Sequence, residues 1–143
     1  MILDLDTIQT ILPHRHPILL LDMVEISEPG ISGNGILKFP QIPLWDSLSA
    51  TELKDELILE GAAQLLGVVV SSRNEQLNKT KEGGERLLLS FSQVEFQESA
   101  NSDQAITVTV EVASQFRTMS VGNFRAIQQE RVLVSGKIVI MGR

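Results

Sequence analysis

The chain has 143 residues, with 12 basic and 18 acidic side chains and a net charge of −6. That is enough length for one domain, residues 1–143, with a real core, and too little for two. The acidic balance argues against the broad basic footprint of a nucleic-acid binder, and the lack of cysteine excludes a disulfide framework and a thiolate metal site.

The opening "MILDLD" carries Asp4 and Asp6 where a secretory leader has basic residues, and no apolar run approaches bilayer length. A soluble, cytoplasmic protein is the expectation. In "DLDTIQTIL", Ile8, Ile11 and Leu12 fall at helical spacing, which predicts a short helix ended by Pro13. Then comes "PHRHP", which holds both histidines of the chain: His14, Arg15 and His16 between Pro13 and Pro17.

The runs "ILLLDMVEIS" from Ile18 and "ISGNGILKF" from Ile31 predict two strands joined at Pro29-Gly30, where proline fixes one torsion and glycine permits another. Next, "DELILEGAAQLLGVVVSSRNEQ", Asp55 to Gln76, is apolar over most of its circumference, as a helix is when buried against a sheet and a partner. Its start has two readings: Ser49 with Glu52 as a capping box, or Asp55 as a later cap. The polar "NKTKEGGER" reads as a loop.

From Arg86 onward everything reads as antiparallel sheet. "RLLLSFSQVEF", the alternating stretch Gln104 to Val112, "RTMSVGNFRAIQ" and "RVLVSGKIVIM" are the strands. An α+β fold is predicted, with an antiparallel sheet of about five or six strands wrapped around one long central helix.

"ILPHRHPILLLDMVEI" followed by "LILEGAAQLLGVV" resembles the β-hydroxyacyl-acyl carrier protein dehydratases of the FabA/FabZ type. Their chains begin with a Leu-Pro-His-Arg-aromatic-Pro segment, and their helix carries Glu-x-x-Ala-Gln. The correspondence runs in element order from Ile8 to Met141. The resemblance implies the hotdog fold, a homodimer with acyl tunnels at its interface, and an acyl carrier protein or coenzyme A thioester as partner. It implies no cofactor and no metal.

Dehydration of a 3-hydroxyacyl thioester needs a base for the proton beside the carbonyl, an acid for the departing hydroxyl, and donors at the thioester oxygen. By resemblance Glu60 is the helix carboxylate and Gln64, one turn on, is a substrate-binding residue. A carboxylate desolvated there would be suited to donate a proton. Spacing alone leaves a second reading, because Glu56, Glu60, Gln64, Gly67 and Ser71 fall in one narrow stripe that a solvated helix face would also produce.

The chain departs from the family at the base. The family's histidine lies in a Gly-His-Phe-Pro-Gly segment shortly before the helix, and no histidine follows His16 here. Ungapped alignment from Glu60 puts Asp46 of "PLWDS" near that position, with Pro43 and Trp45 beside it as candidate substrate contacts. Alignment on "KFPQIP" puts Lys38 there instead. The family's helix-start glycine is also missing, and the acidic "SATELKDE" favours self-capping over binding an electron-rich oxygen.

His16, standing where the family has an aromatic residue, is a candidate displaced base. His14 and Arg15 are substrate-binding candidates, with fastening of the N-terminal segment as the alternative. A His-x-His metal site lacks a third ligand, and neither histidine has a serine partner in a nucleophile elbow. Three functions follow: an acyl-thioester dehydratase with a modified site, a hotdog thioesterase, or a non-catalytic acyl-binding or dehydratase partner subunit. Lys79, Lys81 and Arg86 are candidates for meeting an acidic carrier, and Ala62, Ala63 and Gly67 for close approach between two copies.

Overall fold

The short helix forms where its spacing predicts. α1 spans Leu5–Ile11, and Asp4 caps it by accepting from the Thr7 backbone N–H at 2.9 Å. That bond holds the Asp4 carboxyl below its ordinary range. The cap is therefore at full strength near neutrality and weakens as the pH falls through the lowered value. Leu12, at φ −101° and ψ 141°, is extended because the ring of Pro13 disfavours a helical residue before it.

The computed structural model describes residues 1–15, 19–38, 50–73, 86–100 and 104–142. Its strands are β1 (Ile2–Leu3), β2 (Leu21–Glu28), β3 (Ser32–Leu37), β4 (Arg86–Phe96), β5 (Ile106–Phe116), β6 (Met119–Gln128) and β7 (Arg131–Gly142). They form one sheet in the order β1-β2-β3-β5-β6-β7-β4, antiparallel at every pairing. Seven strands stand where the sequence predicts five or six. The strand β1 is two residues long, too short for alternation to show, and is recruited by pairing with Glu25 and Val24 of β2.

The second helix, α2, spans Ala50–Ser71, the earlier of the two predicted starts; Ser49 itself lies outside the described residues. It ends before the expected Gln76. Ser72 turns its hydroxyl back onto the Val69 carbonyl at 2.6 Å, and the same oxygen accepts from the Gly30 N–H at 2.9 Å. Gly30 has φ 75°, and a Cβ there would lie 2.8 Å from Arg73 Cβ. The Pro29-Gly30 turn thus requires glycine twice, for its torsion and for the helix end lying against it.

α2 lies against β2, β3, β5, β6 and β7. Ile58, Ala62, Leu65, Leu66, Val68 and Val69 are buried in one cluster with Val24, Val108, Val110, Phe124, Ala126, Ile138 and Ile140. The strand β3, "SGNGIL", alternates so that Gly33, Gly35 and Leu37 are the buried residues. Having no side chain at Gly33 lets the helix come close: a Cβ would sit 2.9 Å from both the Glu25 carbonyl oxygen and Val69 Cγ2. Among the described residues no helix is long and apolar enough to cross a membrane.

Gly33→Ala is expected to cost about 1–3 kcal/mol by overpacking, because one of the two obstructing atoms is backbone and cannot rotate away. Equilibrium urea unfolding measures it; an unchanged midpoint would show that the helix is not held against β3 at this point.

Candidate active site

On α2 the polar stripe is not a uniformly solvated face. Glu56 is exposed and Glu60 half-buried, whereas Gln64 and Gly67 are buried. The sheet does not do all of this covering. Leu12, Pro13 and His14, just after α1, line one cleft with Glu60, Ala63, Gln64 and Gly67 of the helix.

Gln64 is the fastening point. Its side-chain oxygen accepts from the Leu20 backbone N–H at 3.0 Å, a bond between residues 44 positions apart. The Leu20 carbonyl in turn accepts from the Lys38 N–H at 2.8 Å. Gln64 is 2% exposed, so these groups pair with each other away from water, where an unmade bond is costly. From the same side chain, Nε2 donates to Glu60 Oε1 at 3.4 Å, which turns the carboxylate along the helix towards His14.

His14 Nε2 lies 3.7 Å from Glu60 Oε1, with the histidine side chain 27% and the glutamate side chain 40% exposed. The glutamate is therefore only partly desolvated, between the desolvated carboxylate and the solvated helix face that the sequence leaves open. The second nitrogen of the ring, His14 Nδ1, is buried with no hydrogen-bond partner among the described residues. Arg15 is exposed and spends its guanidinium on the loop itself, Nη1 donating to the Leu12 carbonyl at 2.9 Å and the His14 carbonyl at 2.7 Å. The Leu19 N–H closes the loop onto the Arg15 carbonyl at 3.0 Å.

Beside the pair opens a cleft of about 110 Å³, lined by the residues above and, across from them, by Leu88 of β4 and Ile140 of β7. Leu88 and Ile140 are register partners. Its polar groups, Glu60, His14 and Gln64, come from the helix and the N-terminal segment, and the strands contribute only aliphatic side chains. That combination suits an apolar chain bearing one reactive polar group.

Of the residues singled out in the sequence, Glu60, Gln64 and His14 come together in this cleft. Arg15 adjoins it without lining it, and Lys38 is exposed beyond the end of β3. His16, Pro43, Trp45 and Asp46 lie outside the described residues, as do Lys79 and Lys81. Ala62 and Gly67, candidates for approach between copies, are buried within this chain, and Ala63 lines the cleft. Leu88 and Ile140 escaped the sequence reading. As two aliphatic residues in long apolar strands they carry no local mark, and only the β4–β7 pairing sets them opposite the helix.

Over 96% of its length the chain is 26% identical to a 3-hydroxyacyl-acyl-carrier-protein dehydratase FabZ of Clostridioides difficile strain 630, covering 95% of that protein. Its fold matches a chain of the dehydratase heterocomplex ApeI:P from Xenorhabdus doucetiae with a TM-score of 0.74 at 18% identity, over 95% of this chain and 90% of that one. The chain has the hotdog fold and is similar in sequence to a FabZ. A hypothetical thioesterase from Streptococcus pneumoniae TIGR4, solved with coenzyme A, shares the fold at a TM-score of 0.57 and 16% identity, over 84% of this chain and 85% of that one. No protein-family model matches the chain. The hotdog scaffold is thus established, and its acyl-thioester relatives include proteins named for two different reactions.

Replacing Gln64 by Met keeps the bulk and removes the acceptor, leaving the Leu20 N–H unpaired. The expected loss of stability is about 1–3 kcal/mol, with faster amide exchange at Leu20 in deuterium-exchange NMR. Unaltered exchange at that amide would show that the segment is held by other contacts.

Proposed function

We propose that this protein acts on acyl thioesters as a dehydratase-like lyase, removing water from a 3-hydroxyacyl group carried on acyl carrier protein or coenzyme A, through a modified site. The observation that carries the reading is the Glu60 carboxylate at the wall of an aliphatic cleft, oriented by Gln64 and paired with a histidine at 3.7 Å. Dehydration asks for such a set: an acid–base couple next to an apolar slot that takes the acyl chain. The full-length similarity to a FabZ supports the same reaction class.

Glu60 is the group that exchanges a proton with substrate, and Gln64 holds both it and the N-terminal segment in place. The second proton-transfer group is one of His14, His16 and Asp46. A homodimer in the cytoplasm is the assembly that goes with this reading, since β4 ends the sheet at one edge and carries Leu88 and Phe96, both exposed, which a second copy would cover. The dimensions of the cleft fit the same view: about 110 Å³ is small against the roughly 300–1,000 Å³ of ordinary ligand pockets, so an acyl chain would need further wall from a neighbouring subunit.

Two other readings have specific support. A thioesterase is favoured by the shared fold with the Streptococcus pneumoniae protein, because a helix carboxylate also serves to attack a thioester or to activate water. A partner subunit is favoured by the heterocomplex to which the ApeI:P chain belongs and by the absence of the family's usual histidine.

The test presents 3-hydroxyacyl, enoyl and saturated thioesters on both carriers. Interconversion of the first two is the expected result; free thiol alone would indicate the thioesterase, and saturable binding without turnover the partner subunit. Glu60→Gln is expected to lower kcat for hydroxyacyl dehydration by about 10²–10⁴-fold. A variant as active as the parent would end the dehydratase reading.

A further inference from the structure

We propose that His14 is the base of this site and that the chain assembles its acid–base couple from its own N-terminal segment and helix α2. The assignment rests on the dehydratase reading above and adds to it which residue takes the proton. It separates His14 from its neighbours in the "PHRHP" segment, in which position in the sequence favours His16.

The reaction sets a geometric demand. In a 3-hydroxyacyl thioester the proton leaves from C2 and the hydroxyl from C3, adjacent carbons, so acceptor and donor must stand side by side and face the same part of the substrate. His14 Nε2 and Glu60 Oε1, at 3.7 Å, are too far apart to satisfy each other as a strong hydrogen bond and close enough to serve neighbouring atoms. Both side chains line the one cleft and both retain partial exposure, so each is open to substrate.

The ring has one usable nitrogen. Nδ1 is buried and has no partner among the described residues, so Nε2, turned towards Glu60, is the nitrogen in contact with the rest of the site. The backbone that carries the ring is tied locally. Pro13 precedes it, and the Arg15 guanidinium ties the carbonyls on either side, Leu12 and His14. Further along, Leu20 is anchored to Gln64. Gln64 thereby bonds the Leu20 backbone with its oxygen and the Glu60 carboxylate with its nitrogen.

The proton balance closes. His14 Nε2, neutral at the start, takes the C2 proton, and the electron pair of that C–H bond becomes the new C2–C3 double bond. The C3–O bond breaks, the hydroxyl takes the proton of Glu60 in its carboxylic acid form, and water leaves. The products are an enoyl thioester, water, an imidazolium at His14 and a carboxylate at Glu60. Loss of the imidazolium proton to water and uptake of a proton from water by the carboxylate restore the starting state, with solvent as the only co-reactant.

The charged and titratable groups facing this couple among the described residues are few. Helix α2 contributes Glu60 itself and, one turn earlier on the same stripe, the exposed Glu56, which does not line the cleft; the N-terminal segment contributes Arg15, whose guanidinium is occupied by carbonyls, and the wall from β4 and β7 contributes only Leu88 and Ile140. The couple is therefore the proton-active unit of the cleft.

The experiment compares the parent protein with His14→Gln and His16→Asn, using short- and medium-chain 3-hydroxyacyl thioesters on both carriers. Dehydration is followed by enoyl absorbance and C2 exchange by deuterium uptake in heavy water. His14→Gln is expected to lower kcat by about 10²–10⁴-fold with KM changed by less than a few-fold, and to abolish deuterium uptake at C2, both to a far greater degree than His16→Asn. Circular dichroism and the unfolding midpoint establish that His14→Gln is folded; if it is not, His14→Asn and His14→Phe carry the same comparison. Turnover or C2 exchange that survives loss of His14 overturns the assignment alone, as does their loss in His16→Asn with His14 intact. A parent protein that converts none of these thioesters overturns the dehydratase reading and the assignment with it.

Discussion

Helix α2 is apolar on more of its circumference than one sheet face can cover. Residues such as Ile58, Leu65, Leu66 and Val69 are buried on the side of the strands, and the sheet comes close enough only because β3 offers Gly33 and Gly35 where other strands would carry side chains. The stripe holding Glu60, Gln64 and Gly67 lies apart from that contact and still needs cover. The segment Leu12 to Leu20 provides it at the described residues, so the same requirement that seats the helix also brings His14 to Glu60.

Burial of Gln64 makes this arrangement stiff. A buried amide must have its donors and acceptors met, and Gln64 meets them with the Leu20 N–H on one side and the Glu60 carboxylate on the other. A helix residue that would otherwise be a liability in the core thereby fixes the position of a loop and the rotamer of a carboxylate. The cost of breaking it falls on the fold as well as on the cleft, which is why the two cannot drift apart independently.

The same scaffold appears in proteins named as dehydratases and as a thioesterase, so the shape of the sheet does not choose the reaction. The choice lies in which side chains border the helix carboxylate. In this chain no histidine follows His16 in the sequence, and the imidazole beside Glu60 comes from the N-terminal segment.

What the sequence determined by itself was everything carried by neighbouring residues. The two-residue alternation from Ile106 to Val112, the helical spacing of Ile8, Ile11 and Leu12, and the Pro29-Gly30 turn all reappear in the structure, because strand, helix and turn each impose their period or torsions within a few positions. The turn between β6 and β7 was harder to type: it passes through Gln129 and Glu130, both at positive φ, without the glycine or asparagine that normally marks such a conformation. The helix motif singled out Glu60, a residue that lines the cleft. Only the tertiary structure decided that β4 pairs with β7 to set Leu88 beside Ile140, that two residues at the amino terminus add a strand, and that His14 comes to the carboxylate. Those contacts join segments far apart in the chain, and they exist only after the sheet has closed over the helix, so no local pattern carries them.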